Sequence, residues 1–131
     1  MLCLMALSCG DSAPPPSSPN PEATQPAGMS SEEWGEWLFS SYSCAACHSV
    51  ASAPGIGPPL NDVAGTERPL VDGSTALADT SYLRAALLEP TEHVTFGYEA
   101  TMPTYQLSYP QVDALVDYLN HLGGVTRELE E

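Results

Sequence analysis

The sequence contains no lysine, and its only cations are Arg68, Arg84 and Arg127. The sequence has 17 acidic residues, so its formal net charge at pH 7 is -14. A chain with this balance repels nucleic acid and anionic lipid, so we exclude nucleic acid as a partner and expect a protein partner with a basic surface. The simpler interpretation, that the charge only keeps the protein soluble, stays open.

Long hydrophobic runs are also missing. The most apolar stretch, residues 1–9, is far shorter than the roughly 20 residues that cross a bilayer. It resembles the end of a secretory signal without its basic region, so we expect the true start to lie upstream. Ala6-Leu7-Ser8-Cys9 resembles a lipoprotein processing site, which predicts a lipid anchor at Cys9 and a periplasmic or extracytoplasmic membrane location. A cleaved signal or a disordered tail is the alternative.

The composition divides the rest of the chain into three parts. Residues 10–29 are rich in Pro and Ser, and this composition predicts a disordered, extended linker. At about 3.1 Å per residue, such a linker reaches on the order of 50 Å and lets a tethered domain move between partners. Residues 30–124 form the predicted folded domain, and residues 125–131 form an acidic C-terminal tail.

Three helices are predicted in the folded part, whereas no strand alternation and no internal repeat is visible. Each helix has a recognisable start signal, either an N-cap or a capping box in which the side chains of the cap and the third helical residue bond to each other's backbone. The first predicted helix follows the box Ser30-x-x-Glu33 and continues to Tyr42. The second spans Thr80–Glu89, after Asp79 and before Pro90. The third runs from Tyr109 to about Leu122, between the box Ser108-x-x-Gln111 and Gly123-Gly124.

One pentapeptide carries specific chemistry: Cys44-Ala45-Ala46-Cys47-His48. Cys-x-x-Cys-His is the signature of covalent haem c attachment, in which two thiols bond to the porphyrin vinyl groups and the histidine binds the iron. A thioredoxin-like redox pair would need a βαβ setting, a zinc site would need a fourth ligand, and a plain disulfide leaves the downstream pattern unexplained. The motif therefore predicts one covalent haem c, and long loops that wrap around it.

The segment after the motif offers support for His48. A haem-ligating histidine donates its second ring N–H to an acceptor, and we expect the carbonyl of Pro58 in Gly57-Pro58-Pro59 to accept it. Leu60 is then predicted to pack on the same face of the haem. A simple turn is the alternative interpretation of this Gly- and Pro-rich stretch.

Met102 is the predicted sixth ligand, because electron-transfer cytochromes commonly pair histidine with methionine. It lies in a Gly-rich loop directly before Pro103, which is a poor setting for a residue that only fills the core. His93 is the main rival and would lower the potential. His121, near a helix end, is expected to face solvent or to cap the helix.

With these residues in place, the chain from about Ser31 to Gly123 resembles a class I cytochrome c, and most closely the cytochrome c domain of subunit II of caa3-type oxidases. The resemblance implies an all-α class I cytochrome c fold, with helices and long loops around one covalent haem and with the first and last helices crossing. The matching stretches are Gly35-x-x-x-Phe39, the haem motif with Ser49-Val50, Gly57-Pro58-x-Leu60, Leu70-x-Asp72-Gly73, Ala78-Asp79-x-x-Tyr82-Leu83, Glu89-Pro90, Gly97-Tyr98-x-x-x-Met102-Pro103-x-Tyr105 and Leu115-x-x-Tyr118-Leu119.

The chain also departs from that family pattern. It has neither the copper-binding region nor the transmembrane hairpin of subunit II, so we expect a free-standing or lipid-tethered protein. The arginine that often contacts a haem propionate has no clear counterpart, and Thr66 or Arg68 is the candidate for its place.

The resemblance implies single-electron transfer between a respiratory donor and an oxidase or reductase, without catalysis. The alternatives are an open-coordination haem protein acting as gas sensor or peroxidase, and a haem subunit of a larger dehydrogenase complex.

Overall fold

The computed structural model describes residues 20–124. The predicted signal and lipidation segment 1–9, the first part of the linker and the acidic tail 125–131 lie outside the described residues. Within 20–124, no helix is long and apolar enough to cross a membrane. The regular elements are α1 at Ser31–Ser41, a 3-10 helix at Cys44–Ala46, β1 at Glu67–Pro69, β2 at Thr75–Leu77, α2 at Thr80–Leu88 and α3 at Tyr109–Leu122.

The predicted N-terminal caps are present in all three α-helices. In α1, the Ser30 hydroxyl accepts a hydrogen bond from the Glu33 N–H at 3.1 Å, and the Glu33 carboxylate accepts one from the Ser30 N–H at 2.7 Å. This backbone hydrogen bond lowers the pKa of Glu33, because it stabilises the ionised form. The same reciprocal box opens α3 at Ser108 and Gln111, and Asp79 caps α2.

The crossing of α1 and α3 organises the fold. Gly35 lies so close to α3 that an added Cβ would overlap the carbonyl oxygen of Ala114. Phe39 packs on Tyr118 with ring centroids 5.5 Å apart, and the Ser31 hydroxyl donates to Asp117 at 2.6 Å. The missing side chain of Gly35 therefore allows the two backbones to meet.

The core consists of two groups of buried side chains, and α3 contributes to both. The first fills the α1–α3 crossing and contains Trp34, Leu38, Phe39, Ala114, Leu115 and Tyr118. The second lies between α2, α3 and the loop before β1, and contains Val63, Ala64, Ala78, Leu83, Val112, Val116 and Leu119. Leu60 packs against both groups, so the loop after the Cys-x-x-Cys-His motif is tied to the core.

The structure adds two short strands to the helices that the sequence predicts. β1 and β2 form an antiparallel pair in which Arg68 is opposite Ala76, and an isolated bridge joins Leu70 to Thr95. Strands of three residues, one of which includes Pro69, carry too little alternation to be recognised in a sequence.

The second half of the predicted linker contacts the folded domain. The side chain of Gln111, which is fully buried, donates a hydrogen bond to the carbonyl of Asn20 at 2.6 Å. Met29 packs partly against the α1–α3 core group. Asn20 thus lies against the start of α3, and Met29 lies at the α1–α3 crossing.

Candidate haem site

A cavity of about 370 Å³ opens between α2, α3 and the loops on either side of them. Its walls are mainly apolar. They combine residues that are far apart in the sequence, from the C-terminal part of α1 to the C-terminal half of α3. The site residues predicted from the sequence all line this one cavity: Cys44, Cys47, His48, Pro58, Leu60 and Met102.

The Cys-x-x-Cys-His segment forms a tight turn at the end of α1. Ser43 has a positive φ of 58° and starts the 3-10 helix. The N–H groups of Cys47 and His48 both donate to the carbonyl of Cys44, at 3.2 and 3.0 Å. This turn places both sulfur atoms and the imidazole on the same cavity wall. Cys44 and Cys47 are not joined to each other by a disulfide, and burial raises the pKa of the Cys44 thiol, before haem is attached, to about 11.

The imidazole of His48 is fixed by the loop that follows it. Its Nδ1 lies 2.7 Å from the carbonyl oxygen of Pro58, which is the hydrogen bond expected from the sequence. A carbonyl only accepts, so Nδ1 carries the proton and Nε2 keeps a lone pair for a metal ion. An added Cβ on Gly57 would come within 2.5 Å of the ring, so the backbone also packs against the imidazole.

Met102 and His93 both lie on the cavity wall, in the irregular segment between α2 and α3. The His93 ring also stacks on Tyr82 of α2, with centroids 5.9 Å apart. His121 is on α3, outside the cavity lining, and its Nδ1 lies 3.1 Å from a carboxylate oxygen of Glu32. Of the two histidines considered as rival ligands, only His93 is thus placed at the cavity.

The structure separates the two candidates for a propionate contact. The hydroxyl of Thr66 donates to the carbonyls of Val63 and Asp62, at 2.8 and 3.2 Å. Arg68 instead lines the cavity, and its buried Nε has no hydrogen-bond partner among residues 20–124. Because a buried polar atom normally has a partner, Arg68 is the better candidate for binding an anionic group in the cavity.

Haem c fits this set of groups. The two thiols match the chemistry of covalent attachment. The imidazole, with its oriented donor nitrogen, and the thioether match axial ligation of the iron, and the apolar cavity matches the porphyrin. The unpartnered Arg68 matches the acidic propionates of haem. Across the described residues, no group of three or more His, Cys, Asp and Glu side chains is placed to hold a metal ion, and the sheet there is a single antiparallel pair rather than the βαβ setting of a thioredoxin-like site.

The sequence predicts the reactive groups of the site but only part of the cavity wall. Besides the predicted Leu60, four leucines of α2 and α3 line the cavity: Leu83, Leu87, Leu115 and Leu119. The contributions of Ile56 and Val63 were missed. Both lie in irregular segments, where no periodic pattern marks a buried position.

Comparisons with known proteins agree with the geometry. The family model for cytochrome c matches residues 32–123. Among solved structures, cytochrome cH from Methylobacterium extorquens is similar, with a TM-score of 0.53 and 26% identity over 69% of this chain and 97% of that one. An engineered cytochrome c from Rhodothermus marinus, bound to a carbene intermediate, has a TM-score of 0.50 and 25% identity over 82% of this chain and 91% of that one. No curated protein gives a sequence match.

The fold is therefore the class I cytochrome c fold, mainly helical with one small sheet. The chain belongs to the cytochrome c family and carries covalently attached haem c, with Cys44 and Cys47 at the two attachment positions of its Cys-x-x-Cys-His motif.

Proposed function

We propose that this protein is an extracytoplasmic monohaem electron carrier that accepts single electrons from a respiratory donor and passes them to an oxidase or reductase. The observation that carries the proposal is that His48 and Met102 line one apolar cavity together with the two attachment cysteines. A histidine and a methionine that both bind the iron leave no position for a substrate. Such a site is suited to electron transfer rather than to catalysis.

In this proposal the haem, when bound, supplies a one-electron cycle between Fe(II) and Fe(III). His48 would bind the iron through Nε2, because its Nδ1 lies 2.7 Å from the Pro58 carbonyl and donates to it. Met102 would bind through its thioether, which is soft and would raise the potential relative to a second histidine. Leu60, which lines the same cavity, would exclude water from the His48 side. The backbone contacts of His48 keep this ligand in place in both oxidation states.

Arg68 has a separate role in the proposal. Its unpartnered Nε lies in the cavity wall, and we assign it to a haem propionate. A cation in this position offsets the carboxylate charge and favours the more electron-rich Fe(II) state. It thereby contributes to a higher potential.

The proposed partners follow from the net charge of -14 and the absence of lysine. A partner with a basic docking surface is attracted over a distance and oriented by this charge. A bc1-type complex or a dehydrogenase is the proposed donor. The likeness of the sequence motifs to the caa3-type domain supports a terminal oxidase as acceptor, and the lipoprotein-like Cys9 supports anchoring at the extracytoplasmic membrane face.

A redox titration combined with ligand binding tests this function. The purified holoprotein is expected to titrate reversibly with one electron, and its ferrous form is expected not to bind carbon monoxide at neutral pH. Rapid carbon monoxide binding by the untreated protein would overturn the electron-carrier proposal and favour a gas sensor or peroxidase. Purification as a stable complex with a dehydrogenase would instead favour a haem subunit of that enzyme.

A further inference from the structure

The cavity wall holds one more iron-binding side chain than a haem needs. Besides the two cysteines, it contains the imidazoles of His48 and His93 and the thioether of Met102. A haem iron has two axial positions. If His48 and Met102 occupy them, His93 is a spare donor at the same site.

His93 and His48 are held by contacts with different parts of the chain. The His93 ring lies on Tyr82 of α2, with an interplanar angle of 30°, whereas the His48 ring is held by Gly57 and Pro58. Within residues 20–124, the ring nitrogens of His93 make no hydrogen bond. An imidazole that is exposed and whose ring nitrogens make no hydrogen bond is available to bind a metal ion.

His93 and Met102 also belong to the same irregular segment, which connects α2 to α3. The middle of this segment is attached to the sheet. There the Phe96 N–H donates to the carbonyl of Pro69 at 2.7 Å, and Thr95 bridges to Leu70. Gly97, with a positive φ of 90°, separates this attachment from the Met102 side. His93 therefore precedes this attachment in the chain, and Met102 follows it.

We propose that His93 is a reserve sixth ligand that binds the iron when Met102 leaves it. This inference rests on the axial pair assigned under the proposed function. The exchange replaces an iron–sulfur bond with an iron–nitrogen bond, and no electron is transferred, because the thioether and the imidazole each donate a lone pair. Any proton held by the binding nitrogen is released to solvent. The harder nitrogen donor favours Fe(III), so the exchanged state has a lower potential. His93 also keeps the iron six-coordinate, which opposes binding of gases or peroxide after Met102 is lost.

The experiment compares holoprotein variants at pH 7 by optical and electron paramagnetic resonance spectroscopy. Met102→Ala is expected to give a low-spin ferric haem with two nitrogen ligands and a lower midpoint potential than wild type. Met102→Ala/His93→Gln is expected to be high-spin and to bind cyanide at least tenfold faster than Met102→Ala. Met102→Ala/His121→Gln is the matched control, since His121 lies outside the cavity lining, and it is expected to stay low-spin.

A high-spin Met102→Ala protein, or a low-spin Met102→Ala/His93→Gln protein, would overturn the proposal. If Met102→Ala does not mature, wild type and His93→Gln are compared at the denaturant concentration where methionine ligation is lost. Wild type should then become low-spin with two nitrogen ligands and His93→Gln high-spin, and equal spectra would refute the exchange. If untreated wild type already has two nitrogen ligands and His93→Gln removes one, the proposed His48–Met102 pair fails while ligation by His93 stands.

Discussion

Gly57 lies against the imidazole of His48 so closely that a Cβ at position 57 would come within 2.5 Å of ring atom Cε1 and 2.8 Å of Nδ1. The neighbouring Pro58 carbonyl accepts the hydrogen bond from the same Nδ1 at 2.7 Å. The backbone of two consecutive residues therefore fixes both the plane and the tautomer of the proposed iron ligand. The observed position of this ring therefore requires that residue 57 has no side chain.

Gly57→Ala is expected to turn the His48 ring and to break its hydrogen bond to Pro58. Loss of this bond makes the imidazole a weaker electron donor, so the midpoint potential should rise, and the yield of holoprotein should fall. Haem content and a redox titration measure the two effects. Gly73→Ala is the control, because Gly73 has a positive φ but open space around it. It should cost stability only, about 1 kcal/mol, and an unchanged potential in both variants would refute the steric argument.

The α1–α3 crossing gives a second prediction. Gly35→Ala places a methyl group on the Ala114 carbonyl and within 2.8 Å of Tyr118 Cβ, and neither neighbour is the flexible end of a side chain. We expect a loss of unfolding free energy on the order of 3 kcal/mol, the upper range for overpacking. Denaturant unfolding of the ferric holoprotein measures it. Glu36→Ala, at the next and exposed position of α1, should change stability by less than about 0.5 kcal/mol.

Helix starts were predictable because their signals are local. The pairs Ser30 with Glu33 and Ser108 with Gln111 are three residues apart, and both form the boxes that the sequence predicts. The contact of Asn20 with Gln111 and the bridge of Leu70 to Thr95 were not predictable. Each joins an irregular segment to a residue that is distant in the sequence, and no local pattern records such a contact.

The residues of the haem site were also predictable from the sequence only where their signal is local. Covalent attachment dictates the spacing of Cys44, Cys47 and His48, so the motif is visible in the sequence. The choice between Thr66 and Arg68 was left open, because it depends on which side chain already has partners. In the structure, the Thr66 hydroxyl is satisfied by two carbonyls, whereas Arg68 reaches the cavity with an unpartnered Nε.

Arg68→Gln is expected to lower the midpoint potential, because it removes a positive charge that favours Fe(II). A change on the order of 1 kcal/mol corresponds to roughly 40 mV for one electron. Arg84→Gln is a matched control, since it removes the same charge from a residue that pairs with Asp113 and is outside the cavity lining. The two variants are compared by redox titration, and equal shifts would show that Arg68 acts only through the net charge.

Salt dependence tests the proposed basic partner. With a net charge of -14, the second-order rate of electron transfer with a basic redox protein should fall steeply as ionic strength rises, because the attraction is screened. Stopped-flow kinetics at several salt concentrations measure this rate. A small anionic reductant is the control, and its rate should rise with salt. A rate with the basic partner that does not depend on salt would indicate apolar docking instead.

The near-infrared spectrum of the ferric holoprotein tests the central claim most directly, because it reports whether methionine sulfur binds the iron. We predict a methionine-to-iron band in wild type that is retained in His93→Gln and absent in Met102→Ala. A wild-type spectrum without this band, together with rapid binding of cyanide, would contradict the assignment of His48 and Met102 as the axial pair of an electron carrier.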